Sequence, residues 1–221
     1  MKKINKDFLN SIILFVAFIA YTITVSRVDV GPIGPNESNV GLSTINHFFI
    51  VIFPWNELFH NISTVLGCVI IATAFGFFVY TIIDTIKKKS IRKADAGLIA
   101  LMIYFALIVG IYILFDKVLI INYRPVILNV VLEPSYPSTH TFMAISIMLA
   151  VKTQFEYKIK DEDNKWFATT FCMAIIVATI FTRMVAGVHW FTDIIGGIIL
   201  GAALASLYNA VVKKIYNNGT R

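Results

Sequence analysis

Charge is what this chain has least of. Only 14% of its 221 residues are Asp, Glu, Lys or Arg, against about 25% in a soluble domain, while 57% are hydrophobic and the mean hydropathy is +0.77. That scarcity excludes a soluble globular protein. Cysteine is nearly missing as well, with only Cys68 and Cys172. In the spans assigned below they lie about 10 Å apart in depth at 1.5 Å per residue. A disulfide needs Cα atoms within about 7 Å, so both thiols are expected to be free. The chain also lacks the alternating ten-residue segments of a membrane β-barrel. It shows no internal repeat of the inverted-repeat transporter kind and no low-complexity stretch, so residues 1–221 read as a single domain.

What is present is a series of six runs free of charged residues, at 8–26, 61–83, 96–115, 134–151, 166–182 and 194–212. Each is close to the roughly 20 residues that cross a bilayer as a helix, and together they leave only termini and loops. The fold expected is all-α, an integral membrane six-helix bundle. The first run follows a short basic segment, but no A-x-A-like cleavage site comes after it, so it is expected to stay as a helix. The connection after it opens with Gly31-Pro32-Ile33-Gly34-Pro35-Asn36, a cluster of turn formers. Residues 42–53 are apolar but are stopped by Pro54, too short to span and suited to an interfacial or re-entrant helix. In the last run, Gly197 and Gly201 form a small-xxx-small face, read as close helix packing inside the bundle.

The formal charge is +6 and the pI about 9.3. A nucleic-acid partner would require basic residues clustered with aromatics on a soluble face, and here they lie in the N-terminus, alternate loops and the C-terminus. No nucleic acid is expected. Fifteen of the nineteen Lys and Arg fall on one side, leaving Arg27, Lys117, Arg124 and Arg183 on the other. The positive-inside rule then puts both termini in the cytoplasm of a multi-pass plasma-membrane protein.

Three of the four basic residues on the depleted face, Lys117, Arg124 and Arg183, lie at span boundaries. Such residues are either snorkelling anchors or anion ligands, and their neighbours decide. Arg183, His189 and Asp193 run into the sixth span, and the spacing of His189 and Asp193 puts them on one helical face about 6 Å apart. A carboxylate there can accept from one imidazole nitrogen and leave the other as nucleophile or base. Tyr136-Pro137-Ser138-Thr139-His140 opens the fourth span. Pro-Ser-Thr alone reads as an ordinary N-cap, but with a histidine in the first turn it is also an anion-binding helix end. Tyr123, Tyr136, Trp190, Phe191 and Trp55 lie at the same level, as an aromatic belt or as lipid contacts. His47 and His60 have no partner at catalytic spacing and read as interfacial residues.

These residues resemble the three signature motifs of the type 2 phosphatidic acid phosphatase superfamily, the membrane lipid phosphate phosphatases. Lys117, Arg124 and Pro125 match the first motif, Pro137, Ser138 and His140 the second, and Arg183, His189 and Asp193 the third. Two positions depart from the pattern. Thr139 stands where the family has Gly, keeping the backbone N–H with less φ/ψ freedom, and Thr182 stands where it has Ser, keeping a hydroxyl.

The resemblance implies that Lys117, Arg124, Ser138, Thr139 and Arg183 bind phosphate at the extracytoplasmic ends of the third to sixth spans. It implies that His189, oriented by Asp193, attacks phosphorus to form a phosphohistidine while His140 protonates the leaving oxygen. Without bridging carboxylates on that face, no metal and no cofactor is expected. The substrate expected is a lipid mono- or diphosphate in the bilayer, first a polyprenyl (undecaprenyl) diphosphate, with phosphatidylglycerophosphate and phosphatidate next. Transfer of the phosphoryl group to another hydroxyl is a second class, and a non-enzymatic transporter or scaffold a remote third. Oligomeric state is open.

Overall fold

The computed structural model describes residues 6–128 and 130–219. Lys2, Lys3 and Arg221 of the basic groups, and the side chain of Arg92, lie outside what is described. The described residues form helices α1 (Lys6–Arg27), α2 (Ser43–Ile52), α3 (Glu57–Lys87), α4 (Ala96–Ile113, continuing into a π turn at Leu114–Val118), α5 (Thr139–Lys158), α6 (Glu162–Val185) and α7 (Phe191–Gly219). Among them there is no strand, only isolated bridges between Gly31 and Val40 and between Tyr123 and Pro134. Among the described residues, five helices are long and apolar enough to cross a membrane, α1, α3, α4, α6 and α7.

Polar side chains set the helix starts. The carboxylate of Asp95 accepts from the Gly97 and Leu98 amides to open α4, and Asp161 accepts from Asn164 to open α6. Asn56 accepts from Phe59 at α3. Each satisfies first-turn donors that have no partner inside the helix.

The helix α5 departs most from its charge-free run at 134–151. It begins only at Thr139, because residues 134–138 are held in an irregular turn, and it runs on through Lys152 to Lys158. Those charges are tolerated because Lys152 pairs with Glu156 one turn on, and Lys158 pairs with Asp95 at 2.6 Å. At 1.5 Å per residue α5 is about 30 Å long. It is the bundle's central helix, packed by α3, α4, α6 and α7, which is how it buries Thr141, Ser146, Thr153 and Gln154.

The glycines of α7 bring it against α5. A methyl on Gly197 would meet the Ser138 carbonyl at 3.0 Å, and one on Gly201 would meet Ile145 at 2.7 Å. The small-residue face is thus used within the chain. α1 covers another side of α7, tied by Ser11 donating to the Ala203 carbonyl at 3.1 Å. Both thiols are free, Cys68 exposed and Cys172 buried.

Helix alternation sorts the chain into two ends. One carries the starts of α1, α4 and α6 and the ends of α3, α5 and α7, joined by Lys213–Asp7 and Lys158–Asp95. The other gathers the starts of α3, α5 and α7 with the ends of α1, α4 and α6, and the connection 28–56 lies across it, touching α7 through α2.

Candidate active site

The loop after α4 folds back on itself. Arg124 N–H donates to the Glu133 carbonyl at 3.0 Å and Ser135 N–H to the Asn122 carbonyl at 2.9 Å. This small antiparallel pairing delivers Arg124 to the site end, where its Nη1 pairs with Glu133 at 3.1 Å. From the end of α6 comes Arg183, only 1% exposed. Its Nη1 donates to Ser63 Oγ on α3 at 3.0 Å, and its Nη2 lies 2.8 Å from His189 Nε2. The two guanidinium groups stand within electrostatic range of each other. Holding like charges together in a buried place is unfavourable unless an anion joins them.

His189 is not on a helix. It sits in the turn between α6 and α7, with α7 starting at Phe191. Asp193, in the first turn of α7, curls back to accept from the Trp190 amide at 3.0 Å. That contact replaces the helical spacing expected for the pair and brings Asp193 Oδ2 to 3.6 Å from His189 Nδ1. This is too long for a full hydrogen bond, and Nδ1 faces the carboxylate and the Ser135 backbone without a close partner. A guanidinium only donates, so Nε2 must accept from Arg183 through its lone pair and the ring proton must sit on Nδ1, toward Asp193. Burial first, then the positive charges of Arg183 and Arg124, hold His189 well below the usual imidazole range. It is therefore neutral at pH 7, with Nε2 unprotonated.

The third part is the start of α5. Ser138 caps it, fully buried, accepting from Thr141 Oγ1 at 3.0 Å and donating its own N–H to the Asp193 carbonyl at 2.9 Å. The α5 start is thus bolted to the α7 start, and the first-turn amides beyond Ser138 carry the positive end of the helix dipole. His140 lies against Gly67 of α3, where a methyl would come within 2.9 Å of its ring. Thr139 and His140 close one end of a groove of about 300 Å³ whose other walls are apolar, from Gly67, Ile70 and Ile71 of α3, Tyr112 of α4 and Met143 of α5.

Buried side-chain nitrogens without a hydrogen-bond partner among the described residues gather here: Arg124 Nε, Arg183 Nε, His189 Nδ1 and His60 Nδ1. Buried polar atoms are normally paired. The guanidinium N–H groups of Arg124 and Arg183 are placed to bind the oxygens of an anion. The family model of the PAP2 superfamily matches residues 98–216, from α4 through α7. The chain belongs to the PAP2 superfamily.

One solved PAP2 structure is similar over nearly its whole length, with a TM-score of 0.59, 20% identity, and coverage of 92% of this chain and 96% of that one. It is a transmembrane PAP2-type phosphatidylglycerolphosphate phosphatase from Bacillus subtilis. No curated protein matches by sequence. The fold of this PAP2 chain is accordingly an all-helical, multi-pass membrane phosphatase fold.

The structure brings Arg124, Arg183, His189, Asp193, Ser138, Thr139 and His140 to one end of the bundle of this PAP2 chain. Lys117 stands apart. It lies in the π turn, 74% exposed along its side chain and paired to Asp116 at 2.8 Å. Among the described residues, no group of three or more His, Cys, Asp or Glu is placed to hold a metal ion.

Several residues around this candidate site of the PAP2 chain escape sequence reasoning. Ser63 and Asn122 are buried partners of Arg183 and Asp193, yet a lone Ser or Asn in an apolar stretch carries no spacing signal. His60, read as interfacial, lies in the first turn of α3 within electrostatic range of Arg183 and Arg124. Its position at the level of the motif residues was the available clue. Tyr136 and Trp190 are not belt aromatics: they are 1% and 2% exposed. Tyr136 bonds Thr22, and Trp190 Nε1 donates to the Tyr123 carbonyl at 2.6 Å.

Proposed function

We propose that this protein hydrolyses a lipid phosphate at the extracytoplasmic face of the plasma membrane, through a phosphohistidine on His189 and without a metal or other cofactor. The observation that carries this reading is the neutral His189 with its Nε2 lone pair directed at Arg183, inside a nest of unpaired donors, next to an apolar groove ending at His140. The groove suits a lipid tail, and the donors suit its phosphate. The crowding of basic residues at the end that carries both termini supports a cytoplasmic location for them.

A phosphoryl oxygen takes the Arg183 N–H now given to Nε2, and Arg124 and the α5 amides bind the others. Lys117, released from Asp116, supplies a further charge from the rim. Freed of its hydrogen bond, Nε2 attacks phosphorus in line. The N–P bond forms as the P–O bond to the leaving group breaks, and His140, protonated once the phosphate anion sits beside it, gives its proton to the departing oxygen. Asp193 stabilises the imidazolium through Nδ1–H. Water, giving a proton back to His140, then cleaves the N–P bond and releases phosphate.

A polyprenyl diphosphate such as undecaprenyl diphosphate is the first substrate to test, because an outward-facing site suits recycling of a carrier lipid. Phosphatidylglycerophosphate is the second, suggested by the activity of the structurally similar Bacillus subtilis protein, and phosphatidate the third. The test is phosphate release from each lipid by purified protein in detergent with a chelator, for wild type and His189→Ala. Release that survives chelation and disappears in the variant is the expected result. Turnover that requires an added metal, or that persists without His189, refutes the mechanism. A product that appears only when an alcohol acceptor is supplied would make the protein a phosphotransferase.

A further inference from the structure

The connection between α1 and α3 lies across the site end, where a lid would lie. Its buried polar contacts describe something else. Asn46, fully buried in α2, donates through Nδ2 to the Gly41 carbonyl at 2.8 Å and to Thr192 Oγ1 at 2.9 Å, and its Oδ1 accepts from the Thr192 amide at 3.1 Å. The Gly41 amide donates in turn to Asn122 Oδ1 at 3.3 Å, and Asn122 Nδ2 donates to Asp193 Oδ1 at 3.2 Å. Asn122 is 1% exposed. A continuous chain of buried hydrogen bonds therefore runs from α2 to the carboxylate that faces His189.

Gly41 has no room for any other residue, since a methyl there would fall 1.4 Å from the Val25 carbonyl oxygen. On the far side of the same connection, Asn56 N–H donates to the Ala186 carbonyl at 3.1 Å. There Gly187, at φ +61°, lies so close that a methyl would come within 2.6 Å of the Pro54 backbone. Phe49 stacks on Phe191 at 3.9 Å between ring centres. The turn bearing His189 is thus gripped on both sides.

We propose that Asn122 and Asn46 are positioning residues for the Asp193 carboxylate, and that residues 41–56 form a fixed wall of the reaction centre rather than a lid over it. The proposal rests on the reading of His189 as nucleophile. Asp193 Oδ2 accepts from the Trp190 amide and faces His189 Nδ1 at 3.6 Å, so the other oxygen must be anchored for Oδ2 to stay directed. Asn122 is that anchor. An amide donating to a carboxylate makes one of the stronger hydrogen bonds in a protein, and this one acts through Asp193 without touching substrate.

The experiment measures kcat and KM for Asn122→Leu and Asn46→Leu in the full-length protein. The substrate is whichever of undecaprenyl diphosphate, phosphatidylglycerophosphate and phosphatidate the wild type turns over fastest, with His189→Ala alongside and thermal unfolding as the check on folding. For Asn122→Leu we expect kcat to fall about 10- to 100-fold with KM within about twofold of wild type. For Asn46→Leu, one step further from Asp193, we expect a fall of about 3- to 10-fold in kcat. A folded Asn122→Leu protein with wild-type kcat, or with its loss confined to KM, overturns the proposal. Should that variant not fold, Asn122→Asp decides, since it keeps the volume and the acceptor for Gly41 while replacing the donor by an oxygen. Wild-type kcat there overturns the proposal as well. An inactive His189→Ala beside an active Asn122→Leu removes this inference alone, whereas an active His189→Ala removes the phosphohistidine reading.

Discussion

Gly67 offers a perturbation whose effects on activity and stability separate. It lies within α3, and a methyl added to it would sit 2.9 Å from Cδ2 and Nε2 of His140. Non-bonded carbon atoms settle at about 3.5–4.0 Å, so in Gly67→Ala the imidazole must retreat by about 0.6–1 Å. It can do so cheaply, because it lines a groove of about 300 Å³. Alanine meanwhile favours a helix interior over glycine by about 0.5–1 kcal/mol. We therefore expect thermal stability in detergent to be unchanged or slightly raised, within about 1 kcal/mol of wild type. Displacing a proton donor by about 1 Å costs about 100-fold in rate when geometry governs the step, so kcat for phosphate release should fall about 10- to 100-fold. Gly76→Ala in the same helix is the control, because a methyl there meets nothing within 4 Å; it should share the gain in stability and keep full activity. A Gly67→Ala protein with normal kcat would refute the assignment of His140 as the proton donor at this position.

Four further outcomes follow from the geometry. Because His189 is held below the ordinary imidazole value near 6.5, the acid limb of kcat/KM should lie below that value; a limb at or above 6.5 would show that the ring is not buried neutral. The same shift sets a sign for stability. The contribution is complete above the unfolded value and is lost as pH falls below about 6.5, where only the unfolded chain takes up the proton, so thermal unfolding measured from pH 7 to pH 5 should move to lower temperature, less so in His189→Ala. Gly187→Ala should lower stability by about 1–2 kcal/mol or more, from its φ of +61° and the close Pro54 backbone, and should lower activity with it because the turn carries His189. Arg183→Lys should lower kcat at least about 10-fold, since one ammonium cannot replace the fork that bonds both Ser63 and His189; activity near wild type would show that charge alone suffices.

The membrane class and the helical fold were legible because both depend on composition and run length, which the bilayer thickness fixes. The motif residues were legible because their chemistry is spaced along the chain: Arg183, His189 and Asp193 lie within eleven positions. What could not be read is where local turns defeat helical spacing. His189 was expected on a helix, and the Trp190 amide turns Asp193 back toward it instead. The fourth run was misplaced by five residues at its start because charge counting sees only the absence of Lys, Arg, Asp and Glu, not the turn at 134–138. Lys117 shows the converse. Its spacing to Arg124 is that of the motif, yet its ion pair with Asp116 leaves it at the rim. Asn46, Asn122 and Ser63 were invisible for a different reason: each gains its meaning from a partner far away in sequence.

The groove beside His140 is walled by α3, α4 and α5, and its side chains Ile71 and Tyr112 also belong to the outer surface of the bundle, at 59% and 37% exposed. For the lipid substrate proposed above, arrival there is travel in two dimensions. Its effective concentration is a number per area of bilayer, not per volume of buffer. Adding inert detergent or carrier lipid at constant total substrate should then slow turnover by surface dilution alone, and a Michaelis constant for this protein has meaning only as a mole fraction.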